Sequence, residues 1–139
     1  MLIFIHALLL ALGSLLLRGK GATYAALIGG ILTALWRIAL APFTLLFAFL
    51  FGLFVDGFFF LFKVHINEDK VSTARLVASM TISAALVGLL SYYTSITFGL
   101  LPRDLILEVS ILTGGTLSGA IAGYFAAHVW NKYLKNVKL

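Results

Sequence analysis

Five apolar runs, separated by short polar breaks, fill this sequence almost from end to end, over about 2–17, 22–40, 43–62, 72–97 and 105–130. No other feature limits the possible folds as strongly. A helix of about 20 apolar residues matches the ~30 Å hydrocarbon layer of a bilayer, and it satisfies its own backbone polar groups there. The first run is short for a span, and it reaches across where the bilayer thins. It has neither a basic leader nor a small-residue cleavage site, so a removable signal peptide is not expected. A membrane β-barrel would instead show alternation in segments of about ten residues. Of the 139 residues, 62% are hydrophobic and 11% charged, whereas soluble domains average about 45–50% and about 25%. The expected fold class is all-α: a polytopic membrane bundle of about five transmembrane helices, forming one domain over 1–139.

The last run carries small residues at four-residue spacing, Gly115, Gly119, Gly123 and Ala127. This spacing puts them on one stripe of one helix. In water each helical glycine costs roughly 1 kcal/mol relative to Ala. Within a bilayer the same stripe lets a neighbouring backbone come close. A second ladder, Ala22, Ala26, Gly30 and Ala34, lies in run two. Each ladder either packs within the chain or receives a partner subunit.

The charges give the bundle a direction. Arg18 and Lys20, Lys63, Lys70 and Arg75, and Lys132, Lys135 and Lys138 all fall at one end of a five-helix arrangement, while only Arg37 and Arg103 fall at the other. Cytoplasmic loops carry the excess of Lys and Arg. The bias predicts a cytoplasmic C-terminus and an outer N-terminus in the plasma membrane. The basic residues end apolar runs and form no stripe interleaved with aromatics, so nucleic acid is not an expected partner.

Few residues suggest chemistry. The chain has no cysteine, and His6, His65 and His128 lack metal-ligand spacing. No phosphate-binding loop, HExxH or nucleophile–base spacing occurs. No enzyme activity, metal or cofactor is expected. Asp56 is the one carboxylate well inside the hydrocarbon, at an insertion cost of about 2.5–3.5 kcal/mol, so it must face the bundle or a partner. It could serve as a proton or cation site, or pair with a partner subunit. Alternatively it fixes helix packing, with Ser and Thr of the fourth run as its donors. At the outer end, Trp36, Arg37, Tyr92, Tyr93, Arg103 and Glu108, with Asp104, could line a polar pocket with aromatic walls for a small planar or zwitterionic ligand. The competing reading is interfacial anchoring, with Arg reaching to the headgroups.

Three stretches carry a resemblance: Arg18-Gly19-Lys20-Gly21-Ala22 leading into a Gly/Ala-rich helix, Phe51-Gly52-Leu53-Phe54-Val55-Asp56-Gly57, and Gly114 to Tyr124 with the basic tail behind it. Over about 18–133 the chain resembles the substrate-binding S component of energy-coupling-factor (ECF) transporters. That family has six helices with both ends cytoplasmic, so this chain reads as the same arrangement without the first helix. The resemblance implies capture of a vitamin-like or precursor molecule from outside, followed by reorientation against an energising transmembrane subunit and its ATPases. It also implies docking through small-xxx-small motifs, for which Ala7 with Ala11, or the Ala22–Ala26–Gly30 ladder, would stand in. The alternative is a structural or accessory subunit of a larger respiratory or oxidase-type complex. A third reading is a small membrane enzyme or a lipid-binding protein whose basic inner loops touch anionic headgroups.

Overall fold

The computed structural model describes residues 2–17, 21–36, 38–64, 66–67 and 70–134. Among the described residues there are five α-helices: α1 (Leu2–Leu16), α2 (Gly21–Trp36), α3 (Ala41–Leu61), α4 (Thr73–Thr97) and α5 (Leu105–Val129). Among the described residues, α3, α4 and Leu105–Leu134 are long and apolar enough to cross a membrane, and α1 and α2 contribute the shorter apolar stretches His6–Leu16 and Gly21–Leu35. Large apolar side chains stand exposed on every helix, including Leu9, Leu32, Phe60, Leu90 and Leu117. Such a surface suits lipid, where helices need no polar outer face.

The boundaries differ from the sequence reading in one instructive place. Pro42 predicts a break with Ala41 outside the helical region, and run two is expected to reach Leu40. Instead α2 ends at Trp36, a 3-10 turn covers Ile38–Leu40, and α3 starts at Ala41. Proline at the second position of a helix sacrifices only an N–H that has no intrahelical acceptor, so Pro42 starts α3 rather than interrupting it.

The ends of α3 and α4 are closed the same way. Val64 N–H donates to Phe59 O and Lys63 N–H to Phe60 O, while Leu100 N–H donates to Ser95 O and Gly99 N–H to Ile96 O. Each is a Schellman motif with its pivot in the left-handed region, Lys63 at φ 49° and Gly99 at φ 69°. Past Lys63, the polar 65–70 stretch falls partly outside the described residues. The remainder forms an antiparallel hairpin, β1 (Ile66–Asn67) with β2 (Lys70–Val71). Asn131, in the π-helical turn Trp130–Leu134 that extends α5, holds this hairpin in place. Its side chain accepts from Val71 N–H at 2.9 Å and donates to Val71 O at 3.2 Å.

The helices form a ring. Each packs on the next in sequence, and α5 returns to α1. The glycine ladder of α5 lies on α4: a Cβ on Gly119 would sit 2.6 Å from Met80 O, and one on Gly123 would sit 2.9 Å from Val77 Cα. The α2 ladder lies on α3, where Gly30 faces Ala48 and Gly52 faces Ala26 and the Thr23 backbone. Both ladders are therefore filled from within the chain. Ala7 and Ala11, too, are buried in the core.

One half of the ring is solid and the other hollow. The core cluster, which includes Leu10, Leu15, Val55, Phe59, Leu76, Met80, Ala126 and Trp130, fills the half that holds the hairpin and the end of α5. The opposite half, where α1, α3 and α5 begin, encloses a cavity.

Candidate functional site

The solid half is organised by Asp56. Gly52, one turn earlier on α3, has no side chain, so the α3 backbone can approach Ala22, Thr23 and Ala26 of α2. Gly21 is packed against the Gly13 carbonyl, which draws α1 and α2 together at the same level. Asp56 is thereby buried at the start of α2. Its Oδ1 accepts from Ser14 Oγ at 2.7 Å and from Ala22 N–H at 3.2 Å. Its Oδ2 accepts from Thr23 N–H at 2.9 Å and Thr23 Oγ1 at 2.7 Å.

The carboxylate thus satisfies two first-turn N–H groups that have no acceptor within their own helix, and it sits at the positive end of the helix dipole. The donors come from α1 and α2. The sequence reading places them in the fourth run, and this assignment is corrected. The α4 hydroxyls nearest in depth are occupied locally, Ser79 donating to Leu76 O and Ser83 to Ser79 O. Asp56 joins three helices by capping one of them, and all four of its contacts call for an acceptor.

The hollow half contains the candidate binding site, a half-open cavity of about 940 Å³. Each helix turns one face toward it. From α3 come Phe43, Phe47 and Phe51, an aromatic stripe at four-residue spacing. From α4 come Ala84, Val87, Gly88, Ser91, Thr94 and Ser95, with Phe98 just past its end, and from α5 Ser110, Ile111, Gly114, Gly115 and Ser118, again at helical spacing. Thr33 and Gly30 of α2 and His6 of α1 complete the wall.

Aromatic contacts give the wall its shape. Phe43 meets Phe98 edge-on with centroids 5.0 Å apart, and His6 stacks on Phe51 at 6.2 Å. The imidazole fits because Gly29 lacks a side chain: a Cβ there would lie 2.8 Å from His6 Cε1. His128, by contrast, is exposed and stacks on Tyr124 on the far part of α5. His65 lies outside the described residues.

The polar residues singled out at the outer end take other positions. Arg37 and the side chain of Trp36 lie outside the described residues. Tyr92 is buried, and its hydroxyl donates to Asp104 O and accepts from Asp104 N–H, both at 2.9 Å. It pins the 98–104 connection to α4. Tyr93 Oη donates to Glu108 at 2.7 Å across the exposed surface between α4 and α5. Asp104 caps α5 by accepting from Ile106 N–H at 3.0 Å. Arg103 is exposed. None of Tyr92, Tyr93, Arg103 and Glu108 lines the cavity.

The cavity-lining residues drew no notice as a set in the sequence, although a signal was there. Phe43, Phe47 and Phe51 repeat every four residues, as do Ser91 with Ser95 and Ser110 with Gly114 and Ser118. Faces of small, hydroxylic and aromatic residues in apolar helices mark positions that turn away from lipid. The chain matches no protein family, no curated protein and no solved structure.

Proposed function

We propose that this chain is a multi-pass plasma-membrane subunit, N-terminus outside, that captures a small molecule in the cavity of its hollow half. The observation that carries this reading is the position of the cavity. It is lined by residues of the half where the charge count puts only Arg37 and Arg103, and the same count assigns the other Lys and Arg to the solid end. A ligand would enter from outside and meet a packed floor between itself and the cytoplasm. Largely apolar clefts with a few convergent polar groups, about 300–1,000 Å³ in volume, are the usual form of small-molecule sites. On the likeness to ECF S components, the chain would capture without chemistry and depend on an energising subunit and its ATPases for release.

Several groups at the outer end remain candidates for the rim of the site: Trp36, Arg37, Tyr93, Arg103 and Glu108. Tyr92 contributes indirectly by holding the 98–104 connection. Docking to an energising subunit falls to a face other than the ladders, since Ala7, Ala11, Ala22 and Ala26 are all buried within the chain. The accessory-subunit alternative needs a ladder left open for another chain, and both are filled internally.

Purification from native membranes, with the co-purifying chains identified, tests the reading. ATPase and permease chains are the expected partners. Recovery with redox subunits, or with no ATPase after mild solubilisation, would overturn the coupling to an ATP-driven partner.

A further inference from the structure

Of the seven hydroxyl side chains that line the cavity, five have already committed their protons, while Ser91 donates to no acceptor among the described residues. Thr33 donates to Gly29 O at 2.7 Å, Thr94 to Leu90 O at 2.8 Å, Ser95 to Ser91 O at 2.8 Å, Ser110 to Ile106 O at 2.7 Å, and Ser118 to Gly115 O at 3.1 Å. Such bonds to the preceding turn are the normal state of Ser and Thr in apolar helices. A hydroxyl has one proton and two lone pairs. With the proton spent, each of these five groups offers a ligand acceptor capacity only.

Four phenyl rings, those of Phe43, Phe47, Phe51 and Phe98, line the same space, and a phenyl face carries negative quadrupole charge. Among the described residues lining the cavity none carries a fixed charge, and His6 is the one ring with an N–H. Lone pairs and ring faces both attract hydrogen-bond donors and cations. Both repel a carboxylate or phosphate, which would also lose its hydration and gain only the Ser91 hydroxyl and the His6 N–H as donors.

From this we infer that the cavity selects a hydrogen-bond-donating amphiphile, an organic amine or alcohol with an aromatic or apolar body, and discriminates against the corresponding anion. The inference rests on the cavity being the binding site, and the two can fail separately.

Equilibrium dialysis tests both, with the protein in zwitterionic-lipid nanodiscs and empty nanodiscs as the partition control. The probes are 2-phenylethylamine, tryptamine and 1-naphthylmethylamine with their alcohol and carboxylate counterparts. At least one amine or alcohol is expected to bind about tenfold or more tightly than its matching carboxylate. Two variants locate the binding. Gly114 lines the cavity and Gly57 does not, and a Cβ on either meets nothing within 4 Å. Gly114→Phe should abolish binding, and Gly57→Phe should leave it intact.

Preference for the carboxylates, lost in Gly114→Phe, overturns the ligand class and keeps the cavity. If Arg37→Gln also removes that preference, the arginine-based pocket takes its place. Equal binding of all three forms, as by a slot for any hydrocarbon, overturns the selectivity. Binding that survives Gly114→Phe overturns the location, and binding of no probe overturns both inferences.

Discussion

Removal of the Asp56 carboxylate should cost far more than the loss of one side chain at a helix contact. Ala22 N–H and Thr23 N–H lie in the first turn of α2 and have Asp56 as their acceptor. Stranding a buried donor costs about 1–3 kcal/mol, so the two together give about 2–6 kcal/mol gross. Two effects reduce this. The Ser14 hydroxyl can turn to a carbonyl of its own helix, and the substitution also removes a charge that was costly to bury. Asp56→Ala is therefore expected to destabilise by about 3 kcal/mol, roughly a hundredfold in the unfolding equilibrium.

Asp56→Asn keeps the shape and one acceptor oxygen, but its amide N–H groups face one of the two donor pairs. It should lose about half as much. Ser14→Ala removes a hydrogen bond to a carboxylate, about 1.5 kcal/mol in the wild-type background. In Asp56→Ala the same change should cost close to nothing, because the shared partner has gone. Reversible unfolding in mixed micelles, followed by circular dichroism against the fraction of denaturing detergent, measures all four differences. An Asp56→Ala protein within about 0.5 kcal/mol of wild type, near the additivity limit of such cycles, would refute the capping role. An equal cost of Ser14→Ala in both backgrounds would refute it as well.

Four further outcomes follow from the packing and its hydrogen bonds. Gly119→Ala should destabilise, because a Cβ there meets the Met80 and Thr81 backbone and overpacking costs about 1–3 kcal/mol. Gly114→Ala, whose Cβ meets nothing within 4 Å, should stabilise by up to about 1 kcal/mol through helix propensity. The same micelle titration gives both signs, and equal effects would contradict the α4–α5 contact. Tyr92→Phe removes both bonds to the Asp104 backbone. Hydrogen exchange at Asp104 N–H should then quicken about tenfold, corresponding to about 1.4 kcal/mol of local stability, while unchanged exchange would mean that the loop is held by something else. Asn131→Asp retains an acceptor for Val71 N–H but sets an oxygen against Val71 O. Exchange at Val71 should rise by a similar factor, and protection equal to wild type would exclude the side-chain clamp on the hairpin.

The existence of five helices is a property of local sequence. Runs of apolar residues of the right length form helices with satisfied backbones, and Gly99 and Asp104 mark a stop and a start that a reader can locate. The two ladders are legible as faces where backbones approach closely, because spacing alone puts Gly115, Gly119 and Gly123 on one stripe. The depth of Asp56 is legible too, since position along an apolar run translates directly into position across a bilayer.

The partner each of these meets belongs to the tertiary structure. Ser14 and Thr23 lie 42 and 33 residues from Asp56 in sequence, and they converge because Gly21 and Gly52 let three backbones close on one point. The α5 ladder could have been filled by α2, by α4 or by another chain, and only the close approach of Gly119 to Met80 decides for α4. The cavity is the clearest case. Helices α3, α4 and α5 each carry a stripe of Phe, Ser or Gly, legible singly, but a hollow exists only where these stripes face one another across a ring closed by α1 and α2. Periodicity along a chain states which residues share a face. It contains no information about which faces meet, because that is settled by non-local packing among helices.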